Sequence, residues 1–230
     1  KGFSGGFAAG GYGYLVPHNN GVGYGYHGNV VRFDLATFTV VEVLDVATVA
    51  NDTALKGFYD GFAAGDYGYL VPYASSGGAH GGKVVRFDLA TFSVVTVLDV
   101  ATVASDTTLK GFGGGFAAGD YGYLVPKYGN GNYRGKVVRF DLATFTVVEV
   151  LDVPTVASDV TLKGFSGGFA AGDYGYLVPY TSYPTSAKVV RFDLATFAEV
   201  EVLNVATAAN DHVLKGFWGG FATDGYGYLV

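Results

Sequence analysis

Four histidines, His18, His27, His80 and His212, carry the side chain best suited to proton transfer or metal ligation near neutral pH. Three lie in loops and one in a linker, at no repeated position, and they read as solvated loop residues. His18 and His27 flank the stretch NNGVGYGY and could share a metal only with further ligands. The chain has no Cys, and no carboxylate cluster stands beside them. Carboxylates instead recur at fixed places: Asp34, Asp88, Asp141 and Asp193, then Asp45, Asp99 and Asp152 with Asn204 in the fourth copy. Such a series marks either repeated cation sites or capped turns paired with Arg32, Arg86, Arg139 and Arg191. Turn capping is the better fit, because no Asp-rich calcium loop is present. GFSGGFAAGG and GFGGGFAAGD resemble phosphate cradles, but no helix pattern and no Gly-Lys-Ser/Thr follows them. A catalytic constellation stands in one place, and nothing here does. The expectation is a protein without enzymatic activity and without a cofactor.

Lys1, Lys56, Lys110, Lys163 and Lys215 repeat without exception. They either form a set of like charges for an anion or pair with Asp52, Asp106, Asp159 and Asp211, each four residues upstream; pairing is the favoured reading. One position in the same phrase changes freely: Ser4, Tyr59, Gly113, Ser166 and Trp218. Tyr59 and Trp218 are candidate stacking platforms, because an aromatic face buries apolar C–H surface while its polar edge stays wet. The loop tyrosines Tyr24, Tyr26, Tyr128, Tyr133, Tyr180 and Tyr183 suit the same task, against the plainer reading of ordinary aromatic packing. Asn51-Asp52-Thr53 is the one N-glycosylation sequon, with Asn51 as acceptor.

These residues are positioned by an internal repeat. Lys-Gly-Phe recurs at spacings of 55, 54, 53 and 52 residues, and VVRFDLATF starts at Val30, Val84, Val137 and Val189. From each of those valines to the next Lys is 26 residues, and from each Lys to the Leu of YGYLV is 14. All length variation therefore sits between YGYLV and VVRF, in Gly-, Asn-, Ser- and Tyr-rich stretches that read as exposed loops. Each unit contains four strands: a Gly-rich one, YGYLVP after a tight Gly-Asp or Asp-Gly turn, KVVRFDL, and a β-branched VVEVLDV. A linker of the form ATVASDTTL follows. The expected domain is one repeat array over residues 1–230, with repeats 1–55, 56–109, 110–162 and 163–214 and a partial one at 215–230.

Four antiparallel strands about every 54 residues fit an all-β fold, a β-propeller of four-stranded blades. Four full repeats plus a half give five blades when completed, and an open array of β units is the alternative. The phrases Gly-Asp-Tyr-Gly-Tyr-Leu-Val-Pro, Val-Val-Arg-Phe-Asp-Leu-Ala-Thr-Phe and Val-Val-x-Val-Leu-Asp-Val resemble the YVTN-type propeller repeat. That family has the same succession of turn, aromatic strand, Asp-x-Ala-Thr strand and β-branched outer strand. This chain departs from it in its long variable loop and its extra Phe and Tyr. The wording is also similar to that of long repetitive propeller-like proteins of unicellular eukaryotes.

Bulk composition narrows the partners. With 37 Gly, 18 Tyr and 18 Phe in 230 residues and half of them apolar, the chain can build a sizeable β core. A net charge of −6 with dispersed Lys and Arg argues against nucleic acid. No apolar run reaches membrane-span length, so no membrane insertion is expected. The absence of Met, the start on strand one and the half repeat at the end lead to the expectation that the biological polypeptide or assembly extends further. Near-identical copies suit a structural or interaction module within a larger assembly, even a filament, outside the cell or at its surface. Its partner would be a protein or further copies of itself. The alternative is a lectin-like glycan-binding propeller using the tyrosines above and Trp218.

Overall fold

The computed structural model describes residues 2–23, 25–180 and 186–230, so Lys1, Tyr24 and Tyr183 lie outside the described residues. The chain forms two compact units, Lys1–Phe112 and Gly113–Val230. In the first, β1 (Phe3–Ala9), β2 (Tyr12–Pro17), β3 (Asn29–Asp34) and β4 (Thr39–Asp45) lie side by side in chain order. A second sheet repeats the order with β5 (Phe58–Ala64), β6 (Tyr67–Pro72), β7 (Lys83–Asp88) and β8 (Ser93–Asp99). The second unit begins with β9 (Phe112–Ala118) and β10 (Tyr121–Pro126), then carries a small ribbon, β11 (Tyr128–Gly129) and β12 (Asn132–Tyr133). Its first sheet closes with β13 (Lys136–Asp141) and β14 (Thr146–Asp152). The next sheet is β15 (Phe165–Ala171), β16 (Tyr174–Pro179), β17 (Lys188–Asp193) and β18 (Ala198–Asn204). A two-stranded sheet of β19 (Gly220–Thr223) and β20 (Tyr226–Leu229) follows. All pairings are antiparallel, and the four-strand reading of each repeat holds.

Local chemistry explains the regularity. In the turn between the third and fourth strands, the Asp34 carboxylate accepts the Ala36 and Thr37 amides and the Thr37 hydroxyl at 2.9, 2.7 and 3.1 Å. That cap holds Phe38 in the left-handed region at φ +54°, as Phe92, Phe145 and Phe197 are held in their copies. The expected pairing of these aspartates with arginine is corrected. Arg32 and Arg139 bond across the sheet to Glu42 and Glu149, which face them in register, so the Asp is left to the turn. The predicted linker is also more ordered than a linker. Each contains one helical turn, α1 (Val46–Val49), α2 (Val100–Val103), α3 (Val153–Val156) and α4 (Val205–Ala208). Asp45, Asp99 and Asn204 accept first-turn amides as N-caps. The left-handed residue that ends α1 is Asn51, exposed at φ +50°.

Packing reuses one device. The phenylalanine of the third strand lies flat on the glycine of the second, so a β-carbon on Gly13, Gly68, Gly122 or Gly175 would overlap the ring of Phe33, Phe87, Phe140 or Phe192. Between sheets, Phe7 of β1 packs on Gly61 of β5 in the first unit, and Phe116 of β9 packs on Gly168 of β15 in the second. The Gly-rich first strands therefore approach each other closely because they carry no β-carbon there. Each unit has its own core, with Tyr14, Leu70 and Phe87 in one and Tyr123, Leu177 and Phe192 in the other.

Candidate functional site

Two sequence positions vary inside the constant frame: the fourth residue of each Lys-Gly-Phe phrase, and the residue that follows YLVP, which is His18, Tyr73, Lys127 or Tyr180. The second strand ends beside the start of the first, as the Gly2 and Gly57 carbonyls accepting from the His18 and Ala74 amides show. Both variable positions consequently meet at the same end of the sheets within each unit.

In the first unit they build a cluster of rings. The imidazole of His18 lies 5.6 Å from Tyr59, 5.5 Å from Tyr26 and 6.0 Å from Tyr73. Tyr59 meets Tyr73 at 5.1 Å, and Tyr73 meets His80 at 5.3 Å. His18 Nδ1 lies 3.0 Å from the Phe58 carbonyl oxygen, which only accepts, so Nδ1 carries the proton. His27 takes a different route: it is buried, its Nε2 donates to the Gly2 carbonyl at 2.7 Å, and Phe3 packs edge-on against it. The reading of these histidines as solvated is corrected. The loop folds back on the first strand, and the carbonyl oxygens there need donors.

In the second unit the same positions hold a cation between rings. Lys127 is 4% exposed, with its amine 4.1 Å from the Tyr180 ring centroid and 5.5 Å from that of Trp218. Tyr180 and Trp218 meet edge to face at 5.0 Å, and Trp218 remains 65% exposed. Burial pushes the Lys127 ammonium down to about 8. The space for its stem exists because position 113 is glycine, where a β-carbon would come within 2.8 Å of the stem. Ser166, at the same position one repeat later, donates to the Phe217 carbonyl at 2.7 Å.

The structure thus brings Tyr26 and Tyr59 into one cluster and Tyr180 and Trp218 into the other. Tyr128 and Tyr133 face each other across the β11–β12 ribbon at 5.2 Å. His18, Tyr73 and Lys127 join the clusters without being among the expected ligand-binding residues. The signal that would have found them is the change from His to Tyr to Lys directly after an invariant YLVP.

The repeated lysines are corrected as well. Asp52 and Asp159 do not pair with Lys56 and Lys163; each bonds at 2.6 Å to the lysine that opens the third strand, Lys83 or Lys188. Among the described residues no group of three or more His, Asp or Glu is placed to hold a metal ion.

Set against known proteins, the chain matches no protein-family model and no curated sequence. Its fold does match a solved one, the crystal structure of RRP9 WD40 repeats, with a TM-score of 0.60 at 8% identity. The match covers 87% of this chain and 50% of that one, so this chain spans half the length of the structure it resembles. The fold is all-β, of the β-propeller class, with repeated four-stranded antiparallel blades.

Proposed function

We propose that this chain is a non-enzymatic β-propeller interaction module of YVTN-type repeats, which binds polypeptide through the ring clusters at one end of its sheets. The observation that carries this reading is the convergence of both variable positions into one cluster per unit, while the frame beneath them is constant. Binding surfaces are enriched in Tyr and Trp, whose rings bury large area at low entropic cost. Near-identical blades allow the same contact to be repeated, which suits a larger assembly outside the cell or at its surface, with another protein or further copies as partner.

The test is a peptide display library panned on the wild-type chain and counter-screened on a Tyr59→Ser, Trp218→Ser double variant. Both substitutions copy the serine already present at positions 4 and 166, so the fold is retained. Ligands lost on the double variant support the reading; a panel that binds both proteins equally refutes it. The exposed Trp218 beside Tyr180 favours one second reading, a glycan ring stacked on the indole. A glycan array using the same two proteins examines it, and silence across a broad panel removes it.

A further inference from the structure

Lys56 and Lys110 stand at the same place in successive repeats, at the two ends of the second blade. Each follows a fully buried leucine, Leu55 or Leu109, and precedes a left-handed glycine, Gly57 at φ +70° or Gly111 at φ +76°. Both side chains therefore leave the backbone from fixed positions. Asp52, four residues before Lys56, is taken by Lys83. Among the described residues neither Lys56 nor Lys110 forms an ion pair.

The two lysines line one cavity of about 130 Å³, together with Lys83, His80 and Asp99. The cavity stands where a side chain is missing. Two places before the residue that opens the third strand, successive blades have His27, Gly81, Arg134 and Ser186. In the first blade the buried His27 ring reaches back to the Gly2 carbonyl. In the second, Gly81 lines the cavity, and a β-carbon there would come within 3.0 Å of the Ala74 carbonyl oxygen. The first blade also has Asn29 at the place of Lys83.

We infer that this cavity binds a tetrahedral oxyanion, a phosphate or sulfate group, held between the amines of Lys56 and Lys110. The site adjoins the first ring cluster, since His80 meets Tyr73 edge to face at 5.3 Å, but it stands without the function proposed above.

Charge and size both lead to this ligand. The Lys83 amine is satisfied by Asp52 at 2.6 Å. The carboxylate on the wall, Asp99, accepts the Thr102 amide at 3.3 Å as the N-cap of α2. Lys56 and Lys110 are left uncompensated. Two ammonium groups on one wall repel, and an anion between them replaces that repulsion with attraction, more strongly in a recess than in open water. An ammonium meets phosphate as a point charge with three donors, so it needs no planar partner. The volume lies well below the roughly 300–1,000 Å³ of sites that enclose a drug-sized molecule. It suits one small ion or one charged group at the end of a larger ligand.

The experiment titrates inorganic phosphate into the ¹⁵N-labelled full chain at pH 7, with chloride holding the ionic strength constant. Saturable shifts are expected at the Gly81 and Gly82 amides. Lys56→Met and Lys110→Met keep the stems, including the packing of the Lys110 stem against Gly82. Each should weaken binding by about tenfold or more, as expected for one lost charge-assisted hydrogen bond. Lys56→Arg keeps the charge and should restore most of the affinity. Arg191→Gln removes one positive charge from the second unit, outside the cavity, and should leave the affinity unchanged. The tripeptide Gly-phosphoserine-Gly separates the sources. Tighter binding than inorganic phosphate assigns the site to a phosphorylated polypeptide, and weaker binding assigns it to the free ion. No saturable shift at these glycines overturns the inference, as does wild-type affinity in both Met variants. Acetate bound as tightly as phosphate overturns it too, because the site would then not select a tetrahedral oxyanion.

Discussion

The cluster around His18 in the first unit and the cluster around Lys127 in the second are built on one backbone plan from the same two variable positions. In the first, Tyr59 and Tyr73 fill the space and the imidazole bonds to a main-chain carbonyl, giving a surface of rings. In the second, glycine at position 113 leaves room for a lysine stem, and Tyr180 and Trp218 hold the ammonium by their faces. At equivalent positions the two clusters differ by Ser4 against Gly113, His18 against Lys127 and Tyr59 against Ser166, while Tyr73 and Tyr180 match, and the second adds Trp218. The frame sets where chemistry is displayed and these positions set what it is, as expected where a rigid scaffold presents variable residues.

If the frame is truly shared, breaking it should cost both units alike. Phe87 and Phe192 are fully buried on Gly68 and Gly175, and truncating either to Ala should destabilise by about 3–5 kcal/mol through lost transfer and a residual cavity. Urea unfolding of the two variants measures it. A large loss in one unit and a small one in the other would show that the frames are not equivalent. The next effect down is local to the second cluster. Gly113→Ser places a β-carbon 2.7 Å from the Phe165 carbonyl oxygen and 2.8 Å from the Lys127 stem. It should cost about 1–3 kcal/mol as overpacking. Ser at the equivalent positions 4 and 166 is native, so an undiminished urea midpoint would mean that Lys127 has another place to go.

The frame was legible in the sequence because it is periodic. Constant spacings fixed four strands per repeat, the free loop and the partial fifth copy, and β-branched and aromatic patterning fixed the strand type. The clusters were half legible. Tyr59 and Trp218 stood out as free variation in a fixed phrase, but His18, Tyr73 and Lys127 looked like the first residues of a loop. Their meeting with position 59 or 218 depends on neighbouring first strands packing through glycine, a tertiary fact without a sequence period. The ion pairs failed for a similar reason. Lys56 lies four residues from Asp52 along the chain, but the helical turn α1 and the strand after it direct the carboxylate to Lys83 on the third strand.

Charge at position 127 gives the comparison a pH signature. A base whose folded pKa lies below its unfolded value costs stability while both states are protonated, here below about 8. Between about 8 and 10.5 the folded state has released the proton and the unfolded state has not, so stability should rise with pH in that window. The rise is cut short near 10, because burial raises the pKa of Tyr14, Tyr69 and Tyr123 above 10.0 and their ionisation favours unfolding. Lys127→Met keeps the stem against Tyr180 and Trp218 without the ammonium. It should stabilise by about 1–2 kcal/mol at neutral pH, within the range for burying a polar group, and remove the rise above 8. Parallel melting curves of the two proteins from pH 7 to 10, separated by a constant interval, would sink this account.

The smallest difference lies at the two ion pairs. Lys188 and the Thr161 hydroxyl, bonding at 2.6 Å each, hold the Asp159 carboxyl down at about 2. Asp52 is lowered chiefly by Lys83, but Ala54 stands where the second unit has Thr161, so it has one donor fewer. A carboxylate with a depressed folded pKa contributes stability that is complete above its ordinary value of 3.8 and is lost as pH falls through the folded one. Both pairs are partly exposed, at 28–36% by side chain, so each should be worth roughly 0.5–1 kcal/mol and be weakened by salt. The caps at Asp34, Asp88, Asp141 and Asp193 add to the same acid loss and are untouched by lysine variants. Lys188→Met should therefore reduce the fall in stability between pH 4 and 2 without abolishing it. Lys83→Met should reduce it less, and mainly at the upper end of that range. Equal reductions in acid titrations of the two variants would mean that the Thr161 hydroxyl adds nothing to the hold on Asp159.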